Sequence, residues 1–414
     1  MELSNLRIPS IRTKSIRHGL AQLLFACCTL LLTTDASAGS LTPPAGAVVS
    51  TMKRLDEVEP RTIINAANTP GDAGGSPSIF KISAPGSYYL TGNILGASGK
   101  LGIEIVSSDV TLDLNGFEVL GVAGSLDGIG VTVSGLTNIA ILNGTVRSWG
   151  LNGVNVAGFG SVNCRVQGVL SSGNVNYGIS VGDDSTVADC SATGNGAAGI
   201  VATKGSTVTN SSALLNIGDG IVATVGCTVT GCAAANNSNY GIFVTNGSTV
   251  TNSSASFNGG SGIGTGEGST VFKCSAFSNS GRGVLVTGVG TTVADCTIRA
   301  NVLDGILCDS QCLIRGNNCV NNGAGAGIAA GIHVTGSDNR IEGNNCVGAD
   351  RGIDVDSGGN FITRNTCSGN TTNNWDIAAG NVILVVNATT GGAFAGNSGG
   401  VAPGSTDPNA NFTY

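Results

Sequence analysis

The sequence predicts an all-β fold: a right-handed, single-stranded parallel β-helix of about twelve coils, a solenoid with three short strands per coil. Three observations carry this reading. The chain repeats itself every 21 residues or so, its apolar residues alternate in short runs, and its composition suits turns. Of 414 residues, 66 are glycine, while 11% are charged and 4% aromatic. A helix-rich chain would spend more residues on Leu, Glu and Lys.

The period comes first. A glycine followed by Ile or Val stands at Gly178, Gly199, Gly220, Gly241, Gly262 and Gly283, in steps of 21. The series continues at Gly305, Gly331 and Gly352, and looser members stand at Gly102, Gly128 and Gly153. Each glycine opens a run such as "GIVAT" or "GIFVT", whose period-two alternation of β-branched residues reads as strand. A second run is centred on Val187, Val208, Val229 and Val250, and a narrower third on Ala192, Ala213, Ala234 and Ala255. One coil cannot bury its own apolar face. Stacked coils can, with each strand about 4.8 Å from the same strand one coil later. Ile200, Ile221, Ile242 and Ile263 then form one inward stack and the four alanines another. An asparagine recurs four residues before the glycine, at Asn174, Asn195, Asn216, Asn237, Asn258, Asn279 and Asn301. Asn tolerates a left-handed turn and can bond the next coil, so this column reads as a structural ladder.

The ends read differently. Residues 1–38 have the form of a signal peptide: a basic stretch, the apolar run Leu20–Leu32 and "ASA" before Gly39. Residues 39–60 read as a linker, 61–101 as an N-terminal cap and opening segment, 102–387 as the β-helix, and 388–414 as a Gly/Ser/Asn-rich tail. The signal segment carries four Lys/Arg and two Asp/Glu. Its removal takes the 19 basic and 26 acidic residues of the chain to 15 and 24, net −9. Such a surface does not attract phosphate backbones or anionic lipid, which argues against nucleic acid and, after cleavage, against a membrane. The expected location is secreted, periplasmic or on the cell surface.

Thirteen cysteines are present, two of them in the signal segment. Cys190, Cys232, Cys274 and Cys296 share a column with Ser211 and Ser253, an interchange that suits small buried side chains. Stacked side chains 4.8 Å apart are wider than a disulfide prefers, so the expectation is free thiols.

"VTLDLNGFEVLG" (Val110–Gly121), the "GNxxxGI" coils and "PGSYYLTGNI" (Pro85–Ile94) resemble the secreted right-handed β-helix proteins of the pectin-lyase-like class, in a bacterial branch. The resemblance covers about residues 79–370. It implies a carbohydrate context, since the class includes polysaccharide lyases, glycoside hydrolases, uronate epimerases, tailspikes and adhesins. It transfers no catalytic residue. Of the polygalacturonase-like signatures only "DD" at Asp183–Asp184 is present, and neither the epimerase-like Asp-Pro-His nor a lyase-like Asp-His pair occurs.

A candidate site follows from the columns. In "GIxVx" the middle residue faces out, giving Val201, Val222, Phe243, Gly264, Leu285, Leu307, His333 and Asp354. His333 is the single histidine beyond the signal segment, and Asp354 stands one coil later. Asp356 lies two residues further on the same face. The long coil from Gly305 to Gly331 inserts "GAGAGIAA" just before His333, and insertions in repeat proteins collect on binding faces. His333, Asp354 and Asp356 are the candidate catalytic group, and Asp309, Arg351 and Arg282 the candidate substrate contacts. No cofactor signature is present, although the carboxylates can hold a Ca2+. Two readings stay open. One is a protein that binds or acts on an extracellular polysaccharide, acidic polymers included; the other is a non-catalytic adhesion or structural rod.

Overall fold

The computed structural model describes residues 60–72, 77–323 and 327–383. The signal segment, most of the linker and the tail 388–414 lie outside the described residues. So do residues 324–326 of the insertion and the end of the "NVILVVN" run.

The chain is a parallel β-helix with three strands per coil. First strands stack into one sheet of fourteen, from Ser78–Ile82 to Asn373–Ile377. Second and third strands form a 26-stranded sheet. The two columns merge because Ile139–Arg147 and Arg165–Ser172 run through both. Registers are those of the repeat: Ile200 pairs with Ile221, Val208 with Val229 and Ala213 with Ala234. Among the described residues the single helical piece is a 3-10 turn at Gly158–Gly160. None of their helices is long and apolar enough to cross a membrane.

The coil number corrects the expectation of twelve to about fourteen. Ile79 occupies the glycine column of the first coil and Asn374 that of the last, so counting glycines misses both. The reason for the glycines is local. At Gly199 a Cβ would sit 2.6 Å from Nδ2 of Asn216 and 2.9 Å from the carbonyl oxygen of Gly220, both in the next coil. Gly220 and Gly241 meet their following coils in the same way. The glycine is required by a close approach, from a ladder asparagine at Gly199 and from the Trp149 ring at Gly102 and Gly128.

The asparagines form the expected ladder. The amide of Asn216 donates from Nδ2 to Oδ1 of Asn237 at 2.9 Å and to the Ala192 carbonyl at 3.1 Å. Its backbone N–H donates to the same Oδ1 at 3.1 Å. The pattern runs from Asn174 to Asn322, with every rung buried. The backbone role differs from the expectation. The left-handed residue is the one before each rung, as at Gly194, Leu215, Asn236 and Phe257, and not the rung itself.

The interior holds the predicted stacks. Ile200, Ile221, Ile242 and Ile263 are fully buried, and so are Ala192, Ala213, Ala234 and Ala255. All eleven described cysteines are free thiols, ten of them buried. Burial pushes the Cys190 thiol up to about 11, so it remains protonated and unreactive at neutral pH.

The packing generates two stability predictions. Ala234 faces the glycine corner, where a Cβ on Gly220 would already lie 2.9 Å from the Ala234 Cβ. Ala234→Leu should therefore lower unfolding stability by about 1–3 kcal/mol in a urea titration. Thr265 stands in the inward column between Val244 and Val286, and its Oγ1 is buried without a hydrogen-bond partner. Thr265→Val removes an unsatisfied hydroxyl at nearly constant shape. It should raise stability by about 1 kcal/mol in the same assay.

Candidate functional site

The strands Ala330–Val334 and Arg351–Val355 carry the candidate residues near one end of the fourteen-strand sheet. Strict stacking pairs His333 with Asp354, and Asp354 with Asp376 in the following coil. A second column runs beside it, one residue before the register glycine, and contains Arg282, Asp304, Ala330 and Arg351. The two columns meet above the sheet.

His333 sits at the centre. Its Nε2 lies 3.1 Å from Oδ2 of Asp356 and 3.9 Å from Oδ2 of Asp354, and its Nδ1 lies 3.6 Å from Oδ1 of Asp304. Arg351 donates from Nη1 to Asp354 at 2.6 Å. Its Nε is 3.1 Å from Asp376 but lacks the alignment of a hydrogen bond. Arg282 donates from Nε to Asp304 at 3.1 Å, and the Ala330 amide donates to the other Asp304 oxygen at 2.9 Å. The result is one continuous network: Arg282, Asp304, His333, Asp354 with Asp356, Arg351, Asp376. The Asp354 and Asp304 side chains are 4% and 6% exposed, against 55% for Asp356 and 45% for Asp376, so the accessible carboxylates of the network are Asp356 and Asp376.

The predicted trio and both arginines are thus brought together. Asp309 is not part of the network. It is exposed, and its carboxylate accepts from the neighbouring Ser310 hydroxyl. Asp304 and Asp376 join the network without having been expected. Asp304 was visible as an acidic residue between the two candidate arginines in the column before the glycine. Asp376 was hidden because Asn374 replaces the register glycine of its coil.

Charge is distributed unevenly. The imidazole of His333 is raised to about 9, first by Asp304, against burial, then by Asp356 and Asp354. Burial alone would raise Asp304. His333, the Ala330 amide and Arg282 outweigh it and hold that carboxyl below its ordinary value. Asp354 goes the other way: burial raises it despite Arg351 and His333. At neutral pH the ring is an imidazolium, able to donate a proton but not to accept one. The ligand-capable atoms of His333, Asp354 and Asp356 all lie within 4.8 Å of one another. That is tighter than the roughly 6.5–9.5 Å between the carboxyls of inverting glycosidases.

The remainder of the outward column is apolar. Val201, Val222, Phe243, Leu285 and Leu307 are each half-buried, because neighbours 4.8 Å apart shield one another. At Gly264 the stripe changes character. A Cβ there would meet the Phe243 ring at 2.9 Å and the Tyr240 ring at 3.1 Å, so both rings lie across the bare backbone. The two rings are 5.2 Å apart and tilted by 33°. Asp219 is close by and accepts from the Tyr240 amide at 2.9 Å. Phe243 and His333 are four coil steps apart, roughly 19 Å. A separate open groove of about 580 Å3 lies at the bend between second and third strands, lined by residues including Asn252, Lys273, Ser275 and Asp295. It does not include the His333 network.

Residues 207–330 match the family model for the right handed beta helix region. No curated protein is significantly similar to the chain in sequence. Among solved structures, the chain is similar to the A-module of the mannuronan C-5 epimerase AlgE4 of Azotobacter vinelandii. Identity is 16% and the TM-score 0.44, over 72% of this chain and 91% of that one. It is also similar to the tailspike receptor binding domain of Siphovirus 9NA, at 11% identity and a TM-score of 0.46, over 75% of each chain. The catalytic unit of a GH87 alpha-1,3-glucanase from Streptomyces thermodiastaticus matches at 15% identity and a TM-score of 0.37, over 71% of this chain and 62% of that one.

The raised imidazole makes a pH prediction. The folded pKa of about 9 exceeds the ordinary 6.5, so the charged ring contributes stability that is complete below about pH 6.5 and is lost as pH rises through about 9. NMR titration of the metal-free protein should show the His333 ring protons moving near pH 9. Asp304→Asn should bring that midpoint down toward the ordinary value.

Proposed function

We propose that this right-handed parallel β-helix protein binds a linear polysaccharide laid across the strands of its fourteen-strand sheet. The observation that carries the reading is the presence, on one face of one sheet, of an aromatic pair and a dense polar network. Tyr240 and Phe243 lie over Gly264 and offer ring faces to the apolar side of a sugar. Arg282, His333, Asp356 and Arg351 supply donors and acceptors for hydroxyls. Both are held on rigid strands, so a repeating polymer meets contacts at fixed spacing. We place the protein outside the cytoplasm, as residues 1–38 suggest.

The charge of the network bears on the kind of polymer. Arg282, Arg351 and protonated His333 stand against Asp304, Asp354, Asp356 and Asp376, net −1. Its cations are already paired, so uronate carboxylates are not captured directly, and an acidic polymer reaches this face through a bound cation. The reading is binding, without turnover. A second reading, proton donation to a glycosidic oxygen by His333, is favoured by the exposure of Asp356 and the aim of Nε2 toward it.

A glycan array with neutral and uronic-acid polymers, combined with a turnover screen, tests both. Binding should appear for the wild type. Tyr240→Ala with Phe243→Ala, and separately Asp354→Asn with Asp356→Asn, should each weaken it about tenfold or more, about 1.4 kcal/mol. Full binding by both double variants would move the site elsewhere. Failure of every polymer to bind would favour the structural rod.

A further inference from the structure

We propose that His333 Nε2, Asp354 and Asp356 hold a first-row divalent cation of the Zn2+ type, with Asp304 as the carboxylate that orients the imidazole. The two ring nitrogens face different partners. Nε2 points at the Asp354 and Asp356 carboxylates, and Nδ1 at Asp304. That division is the arrangement in which a histidine ligates through one nitrogen while a carboxylate accepts the other N–H. Asp304 is itself anchored by Arg282 and the Ala330 amide, so the orienting group is fixed from both sides.

Charge and geometry agree with a dication. The ion displaces the Nε2 proton of the imidazolium into solvent, and Arg282 and Arg351 then face four carboxylates, Asp304, Asp354, Asp356 and Asp376, leaving −2 on the network. The three ligand atoms lie within 4.8 Å of one another. A tetrahedral ion at about 2.0–2.2 Å from each needs them about 3.4 Å apart. Asp356 is exposed enough to close that gap by side-chain rotation. Arg351 donates to Oδ2 of Asp354, the oxygen that also faces Nε2, and the ion takes one of the remaining lone-pair sites of that carboxylate, of which there are about four. Three protein ligands leave a fourth position open to water or to a sugar hydroxyl. A nitrogen ligand with two carboxylates suits Zn2+, Co2+ or Mn2+. Ca2+ takes six to eight oxygens, more than this site presents.

The site is that of the proposed saccharide contact, but its test needs no saccharide, so either proposal can fail alone. Metal-free protein is titrated with Zn2+, Co2+, Mn2+, Ca2+ and Mg2+ by calorimetry, and the Co2+ form is followed by visible absorption and proton NMR. Expected are one-to-one binding of Zn2+ and Co2+, binding of Ca2+ and Mg2+ at least about 100-fold weaker, and paramagnetic shifts on the His333 ring. Asp356→Asn should abolish the stoichiometric site. Asp304→Asn should weaken Zn2+ about 10–100-fold and change the Co2+ spectrum. Zn2+ binding that survives His333→Ala would place the ion on the cysteine thiols and overturn the proposal. So would Co2+ binding without a shift of the His333 ring, a readout that needs no variant, or a preference for Ca2+.

Discussion

The corner where each coil closes onto its first strand depends on one contact, the asparagine ladder against the glycine column. A rung such as Asn216 bonds the next rung through both its side-chain and backbone N–H groups and reaches back to the Ala192 carbonyl. To do so the amide must lie where a Cβ on Gly199 would stand, 2.6 Å away. The same crowding suits alanine in the third strand, since the Ala213 Cβ is only 3.1 Å from that position, and the column passes to Ile298 and Cys319 only in later coils. Asn, Ala and Gly therefore recur together because each makes room for the others. A buried amide without its partners would cost about 1–3 kcal/mol, so every rung has to be present for its neighbour to be satisfied.

Stacking of this kind makes the outer face of the sheet a fixed grid. Residues one coil apart are held about 4.8 Å apart whatever their chemistry. In the middle of the sheet that grid carries aliphatic side chains that shield one another. Near its end the same spacing places His333, Asp354 and Asp376 in one line. There the burial created by close neighbours falls on charged groups. A buried carboxylate needs a partner, and Asp354 finds Arg351 while Asp304 finds Arg282 and a backbone amide. The network is thus both a response to burial and a concentration of chemistry.

The insertion has a comparable double role. It lengthens the coil between Gly305 and Gly331, and its last residue delivers the Ala330 amide to Asp304. That bond helps hold below its ordinary range the carboxylate that does most to charge His333. A loop of small residues therefore acts on the site through its backbone.

Sequence alone determined the solenoid, because a stacked coil repeats its packing requirements and so repeats its letters. The isoleucine and alanine stacks, the ladder and the adjacency of His333 to Asp354 all follow from column arithmetic. The arithmetic stopped where the glycines stopped. Ile79 and Asn374 stand in the glycine column, so two coils left no glycine to count, and Asp376 was lost with the second of them. Which side chains meet across columns was decided by tertiary structure alone. Asp304 and Asp309 look alike as acidic residues beside a strand, yet one sits in the column that leans over His333 and the other bonds its own neighbour. The burial of Asp354 beside the exposure of Asp356 likewise depends on where the Arg351 side chain comes to rest. Periodicity encodes the distances along a column, which the backbone sets. Contacts between columns depend on side-chain reach and burial, which have no period.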